Sequence, residues 1–314
     1  RKGVAARRGP GVACVDTGAA GERRMHEGEI ETDVSLVDSL IRSQFPRWRG
    51  LPVTRVHHGG TNNALYRLGD ELAVRLPRIG WAKDEAERDF GIVPRLAPHL
   101  PVAVPEPLEL GEPTEDYPYR WTVVRWLPGG ISAIGEVASD TPQRLAEFLQ
   151  ALQGIDTGGR EWTTYRGRRD HSNSDERVRS CIAELGDNPR LLALWREVLD
   201  APRWDGPGRW LHADLHRGNL LFTGGELTGV VDWGSAGVGD PAGDLMTAWL
   251  FLDARGRALF RRELREFDDA AWTRARGWAL EMAVVALPYY RDTNPFLAGI
   301  ARHVLDQLLA ERAG

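Results

Sequence analysis

Lysine is nearly absent from this chain. Of its 40 basic residues only Lys2 and Lys83 are lysine, and the rest are arginine. Any chemistry that needs a cation on a particular strand must therefore use Arg or do without. Cysteine is as scarce. Cys14 and Cys181 make a poor disulfide framework and point to a reducing compartment, so a cytoplasmic location is expected. Long apolar runs are missing too. The run from Met282 to Leu287 falls far short of the roughly 20 residues that cross a bilayer, so no membrane partner is expected. Residues 1–24 lack the apolar core of a secretory signal. They carry a net +4 while the whole chain carries −5, so the remainder carries −9. An acidic body argues against a nucleic-acid partner and permits a cationic one. With many Gly and Ala and no periodicity, 1–24 reads as a disordered basic tail, or as sequence upstream of a start at Met25.

What is present describes a globular protein. The chain has 314 residues, 42% hydrophobic and 27% charged, enough for one large or two ordinary domains. Residues 33–48 place Leu36, Val37, Leu40, Ile41 and Phe45 on one helical face, with Asp33 as N-cap. Strand-like pieces follow at 51–58, 64–68 and 71–76, turned by Gly69-Asp70. A helix is expected over 83–96. Residues 101–107 are proline-rich and extended, and 121–126 reads as a buried strand. Thereafter the pattern is helical, at 141–152, 175–185, 188–199, 241–253, 270–287 and 294–311. Thr141 is the expected N-cap of the first of these, with Pro142 behind it. The expected organisation is α+β in two lobes. Residues 25–127 form a first lobe with an antiparallel sheet, and 128–314 a mainly helical second lobe.

The most informative stretch is 210–234. Two short apolar runs flank Gly224-Gly225 and read as a hairpin. Asp214 and Asn219 lie just before it and Asp232 at its exit. One supersecondary unit thus brings two carboxylates and an amide oxygen to one place. Hard oxygen ligands of this kind suit Mg²⁺, which completes its shell with phosphates and water. A remaining carboxylate can accept a hydroxyl proton. Together these are the parts of phosphoryl transfer. Upstream, Gly59-Gly60-Thr61-Asn62-Asn63 lies between two strands. Its backbone N–H groups can face nucleotide phosphates, because Gly permits close approach.

These motifs resemble the aminoglycoside phosphotransferase family, small-molecule kinases with a two-lobed protein-kinase-like fold. His212-x-Asp214-x4-Asn219 resembles its catalytic loop, Asp232-Trp233-Gly234 its second metal segment, and Asp240-Pro241-x-x-Asp244-Leu245 the segment that follows. The surroundings of Arg75 and Asp292-Thr293-Asn294-Pro295 resemble an actinobacterial branch near the macrolide phosphotransferases. The resemblance covers nearly all of 33–312. It implies ATP or GTP as co-substrate with Mg²⁺ on Asn219 and Asp232, and Asp214 as the residue that accepts or orients the acceptor proton. His212 is expected to brace the loop. Ala213 stands where the family has Gly, and is tolerable if its φ is negative. Asp244 is expected to hold the catalytic loop by its backbone, whereas Asp240 is either a site group or a support.

The family's phosphate-binding lysine maps to Arg75, since Lys83 lies off that strand. The carboxylate partner of Arg75 is Asp89 by spacing, with Glu85 and Glu87 as competitors. Val124 to Leu127 resembles the interlobe linker whose backbone binds adenine, with Trp126 flanking the ring. His216 and Arg217, inside the loop, are candidates for phosphate or acceptor. Glu281, Tyr289 and Asp292 are candidates for the acceptor, with Asp253 and Asp175 further out. Carboxylates would suit an aminoglycoside. Trp249 and Trp278, if exposed, would suit a macrolide. The expected activity is transfer to a hydroxyl of an antibiotic or similar small molecule. A housekeeping metabolite kinase and a nucleotide-binding pseudokinase are the alternatives. The chain is expected to act as a monomer or homodimer.

Overall fold

The computed structural model describes residues 28–56, 61–132, 138–168 and 170–311. Residues 1–24, Gly59 and Gly60 therefore lie outside the described residues. The first lobe begins with α1 (Val34–Gln44), whose first turn is closed by the Asp33 carboxylate accepting from the Leu36 N–H at 2.7 Å. It ends earlier than the periodicity implied. Pro46 cannot continue the hydrogen-bond ladder, and 46–48 tightens into a 3-10 turn. Five antiparallel strands follow: β1 (Val53–Val56), β2 (Asn63–Leu68), β3 (Leu72–Pro77), β4 (Pro107–Gly111) and β5 (Trp121–Arg125). Their spatial order is β1-β2-β3-β5-β4. α2 (Glu85–Leu96) packs on this sheet.

The sheet's buried face and α1 form a small core of Val37, Leu40, Ile41, Tyr66, Val74, Trp121 and Val123 with their neighbours. Gly111 is required there, because a Cβ on it would lie 2.1 Å from the Trp121 ring. β4 is absent from the sequence reading, which takes 101–107 as extended without assigning a strand, and it opens on Pro107. It is an edge strand, where a missing N–H costs no ladder bond.

The second lobe contains α3 (Thr141–Gly154), α4 (Asp175–Glu184), α5 (Pro189–Asp200), α6 (Ala242–Leu245), α7 (Thr247–Leu250), α8 (Ala254–Glu263), α9 (Asp269–Tyr290) and α10 (Pro295–Ala310). Asp140, not Thr141, is the N-cap of α3. The pattern over 241–253 is split into two single-turn helices. α9 is buried around most of its circumference from Ala271 to Val284, as a central helix must be. α8 is unannounced by the sequence because it is rich in arginine and buries only Gly256, Arg257 and Phe260. Asp253 caps it, accepting from the Gly256 N–H at 2.7 Å. The larger core also takes in Val93 and Leu96 of α2 and Val104, so the first lobe's helix is rooted in the second.

Between the lobes lies the hairpin of β7 (Leu220–Thr223) and β8 (Glu226–Val230), with β6 (Arg209–Leu211) paired to β9 (Gly237–Gly239). Gly224 and Gly225 turn it with φ of 61° and 87°, values that glycine alone adopts freely. The hairpin grips both chain crossings. Phe222 and Gly130 exchange backbone bonds of 2.8 and 3.0 Å, and the Val230 N–H donates to Ala103 O at 2.9 Å.

Candidate active site

The pairing of β6 with β9 brings Leu211 opposite Gly237, so the loop 212–219 and the segment 231–236 leave from one point. Asp244 ties down the first of these. Its two oxygens accept from the His212 and Ala213 N–H groups, each at 2.7 Å. Burial pushes its carboxyl up to about 7 against those two donors. His212 is buried, and its Nε2–H donates to Val231 O at 3.0 Å while Nδ1 accepts from the Asp214 N–H at 3.3 Å. Burial pushes the imidazole down to about 4, so it is neutral, and its ring rests edge-on against Trp233 at 4.8 Å. These bonds brace the loop. Asn219 turns its side-chain amide nitrogen inward to Asp214 O at 2.8 Å, and its backbone carbonyl accepts from the Val231 N–H at 2.9 Å.

Ala213 does not have the negative φ under which its methyl group is readily tolerated. Its φ is +63°, because both its own N–H and that of His212 are pinned to Asp244. Left-handed backbone costs an alanine about 1–2 kcal/mol. Ala213→Gly is therefore expected to raise stability by about 1 kcal/mol, read as a shift in the midpoint of chemical denaturation. Asp232 is also left-handed, at φ +65°, which Asp tolerates better.

Asp214 faces Arg166, whose Nη1 donates to its carboxylate and, at 2.8 Å, to Ala213 O. Burial alone would raise Asp214. Arg166, His216 and His212 outweigh it and hold the carboxyl at about 2. It is thus ionised throughout the neutral range. Arg166 escaped the sequence reading because it lies in the polar, turn-rich 156–173 segment and belongs to no motif.

Arg75 on β3 joins the lobes. One guanidinium nitrogen pairs with Asp89 of α2, and Nη2 donates to Asp232 Oδ1 at 2.6 Å. Burial opposes its charge, but the two carboxylates outweigh burial and raise it. Of the three acids on α2, Asp89 takes Arg75, Glu87 pairs with Arg120 at the surface at 3.1 Å, and Glu85 does something else. Arg88 donates to Gly234 O, fastening α2 to the segment after Asp232. Arg75→Ala leaves Asp89 buried beside Asp232 without a cation. It should cost about 3–5 kcal/mol of stability and raise the nucleotide KM. Lys83→Ala, at an exposed position, should change neither in the same assays.

Glu85 is buried against Asn62 and Asn63. Its oxygens accept from Asn62 Nδ2 at 2.8 Å and Asn63 Nδ2 at 2.7 Å, and a Cβ on Gly234 would lie 2.7 Å from Oε2. Asn62 is further held by the Trp81 indole N–H at 3.2 Å. Thr61 hydrogen-bonds the Tyr290 hydroxyl at the end of α9, across the cleft. Burial first, then the charge of Asp232, raises the Glu85 carboxyl to about 7. A raised carboxyl takes up its proton as pH falls through that value, and one oxygen then ceases to accept. The nucleotide KM is expected to rise as pH drops below about 7. In Glu85→Gln that dependence should flatten, as read from KM against pH.

At the linker, Val124 is buried and Trp126 and Leu127 are half-buried. The Trp126 N–H donates to Glu71 O at 2.8 Å, and Arg67 lies 4.6 Å over its ring.

The acceptor candidates fare differently. Glu281 is not an open carboxylate. It is 3% exposed and accepts from Tyr165 (2.7 Å), Ser174 (2.7 Å), Arg168 (2.9 Å) and Arg177 (2.6 Å). Burial would raise it, but His171, Arg168, Tyr165 and Ser174 hold it far below the carboxylate range. It has no capacity left for a polyamine. Asp253 is a helix cap, and Asp175 accepts from the Trp195 indole at 2.8 Å and from Arg179. Asp240 is a support, paired in the core with Arg274 at 2.6 Å. Trp249 and Trp278 are buried, which removes them as a wall for a large apolar acceptor. Tyr289 and Asp292 sit at the exposed end of α9 and the turn after it.

Among the described residues no three His, Cys, Asp or Glu side chains converge as a metal cage. The donors present suit Mg²⁺ all the same. With its nitrogen committed to Asp214 O, Asn219 has its amide oxygen to offer. Asp232, partly exposed and bound to Arg75 through Oδ1, has Oδ2. Two hard oxygens completed by phosphates and water is how Mg²⁺ is usually held.

This arrangement has counterparts. A sequence model described as the phosphotransferase enzyme family matches residues 53–278. YcbJ of Bacillus subtilis (strain 168), itself uncharacterized, is 27% identical over 197 residues, 60% of this chain and 60% of its own length. The chain thus spans less than two thirds of that relative. The thiamine kinase of Escherichia coli (strain K12) is 26% identical over 248 residues, 77% of this chain and 82% of its own. Among solved structures, the GDP complex of wild-type aminoglycoside 2'-phosphotransferase-IIIa superposes with a TM-score of 0.69 at 16% identity, covering 89% of this chain and 100% of that one. Macrolide 2'-phosphotransferase type I superposes at 0.59 with 19% identity, covering 88% and 98%. The fold is therefore the α+β, two-lobed kinase-like fold, and the chain belongs to the phosphotransferase enzyme family.

Proposed function

We propose that the protein transfers the γ-phosphoryl group of ATP or GTP to a hydroxyl of a small molecule, with Mg²⁺ held by Asn219 and Asp232. The observation that carries this is the convergence of Asp214, Asn219 and Asp232 from one hairpin unit, with Arg75 reaching Asp232 from the opposite lobe. Thr61 and Asn62 lie over the phosphates. Arg75, positioned by Asp89, meets the phosphates as a lysine does elsewhere. The backbone of Val124 to Leu127 meets the base. Mg²⁺ held by Asn219 and Asp232 would offset charge developing in the transfer. Asp214, ionised and held by Arg166, orients the acceptor hydroxyl and takes its proton as the new bond to phosphorus forms. A carboxylate at about 2 is a weak base beforehand, which suits a loose transfer in which the proton leaves late.

The acceptor is a hydroxyl of an antibiotic or of a comparable metabolite. The sealing of Glu281 removes the main carboxylate expected to attract an aminoglycoside, and the burial of Trp249 and Trp278 removes the apolar wall expected for a macrolide. The sequence similarity to thiamine kinase favours the metabolite reading. Incubation with Mg-ATP and Mg-GTP over aminoglycosides, macrolides and thiamine, followed by mass spectrometry for an added phosphate, tests it. Nucleotide binding with no phosphate added to any hydroxyl compound would count against it.

A further inference from the structure

Arg217 lies three residues past Asp214 in the 3-10 turn Arg217–Asn219. Its guanidinium is 4.4 Å from the Phe296 ring of α10, and its Nη2 is 3.9 Å from where a Cβ on Gly299 would stand. The glycine leaves room beside it, and the ring fixes its plane. Its Nε is buried without a hydrogen-bond partner. Among the described residues no hydrogen bond or ion pair reaches any of its nitrogens. The other arginines of this region are answered: Arg75 by Asp89 and Asp232, Arg166 by Asp214, Arg168 and Arg177 by Glu281, Arg274 by Asp240. A half-buried guanidinium without a counter-charge is costly, and a planar fork matches carboxylate and phosphate.

We propose that Arg217 holds an anionic oxygen group, a carboxylate or phosphate, carried by the acceptor itself. The inference rests on the phosphotransferase reading and deepens it by naming the acceptor's class. The position argues for the acceptor over the nucleotide. Arg217 packs on α10 of the second lobe, whereas Thr61, Arg75 and Asp232 mark the nucleotide side. Three residues of chain separate the backbones of Asp214 and Arg217 by at most about 10 Å, and the guanidinium lies on the α10 side of that loop, so the anionic group is carried by a part of the acceptor that reaches toward α10. The balance of charge agrees. Arg166 stands against Asp214, Arg217 follows in the same loop, and the acid that would have welcomed a polycation, Glu281, is closed.

The test uses the full chain saturated with Mg²⁺ and a non-hydrolysable ATP or GTP analogue, so that the nucleotide phosphate site is filled. Inorganic sulfate is titrated by calorimetry, with potassium chloride as the ionic-strength control. Wild type should bind sulfate saturably in the millimolar range. Arg217→Gln should weaken it at least tenfold and Arg217→Lys less, both with unchanged nucleotide affinity. Equal binding by wild type and Arg217→Gln, or none by wild type, overturns the assignment. In parallel, transfer is measured over hydroxy acids and sugar phosphates against thiamine, aminoglycosides and macrolides. Phosphate added to the anionic compounds, with an acceptor KM raised at least tenfold in Arg217→Gln, supports it. Transfer confined to cationic or neutral acceptors overturns it and leaves the phosphotransferase reading standing. Failure of every nucleotide analogue to bind overturns both.

Discussion

Asp214→Ala is expected to lower the transfer rate by about 10²–10⁴-fold while nucleotide affinity stays within twofold or so of wild type. In the proposed function Asp214 is the carboxylate on the acceptor side of the loop, and among the described residues its one arginine partner is Arg166. Its removal takes away the group that orients the hydroxyl and receives its proton. It does not touch Asp232, Arg75 or the Gly-rich loop. The scaffold survives the change, because the loop is held through backbone bonds to Asp244 and through His212. Steady-state transfer and an equilibrium titration of nucleotide, run on the same preparation, separate the two effects. A variant that loses nucleotide and keeps its transfer rate at saturation would move Asp214 to the metal.

Asp232→Asn is expected to do the reverse. Affinity for the nucleotide should lose its dependence on Mg²⁺, since one of the two oxygen ligands loses its charge. The same substitution strips Arg75 of one of its two counter-ions. It also reaches Glu85. The Asp232 charge is second only to burial in raising that carboxyl, so neutralising Asp232 should move the Glu85 midpoint down from about 7. Nucleotide titrations with and without Mg²⁺ across pH measure both consequences. Unchanged Mg²⁺ dependence would place the metal elsewhere.

The site was legible where local chemistry sufficed. The Gly-Gly turn between two apolar runs announces the hairpin, and its length sets Asn219 and Asp232 at either end. Asp33 reads as an N-cap because nothing but the next turn is needed. Asp89 could be preferred over Glu87, since helical spacing restricts which acids face a given strand, whereas Glu85 shares its face and only the motif separated the two. What was not legible depends on distant segments. The left-handed Ala213 follows from Asp244, 31 positions away, pulling its N–H inward. The closure of Glu281 comes from Tyr165, Arg168 and Ser174, in a stretch without motif or periodicity, joined by Arg177 of α4. Arg166 arrives from the same stretch. β4 hides behind prolines that an edge strand tolerates, and α8 behind a face too charged to show a period.

The account as a whole turns on the destination of one phosphoryl group. Label the γ-position of ATP and of GTP, incubate each with Mg²⁺, the acceptor panel and either wild type or Asp214→Ala, and follow the label. Transfer to an acceptor hydroxyl by wild type, abolished in Asp214→Ala, is the predicted result. Label released only as inorganic phosphate, or transferred equally by both proteins, would contradict it.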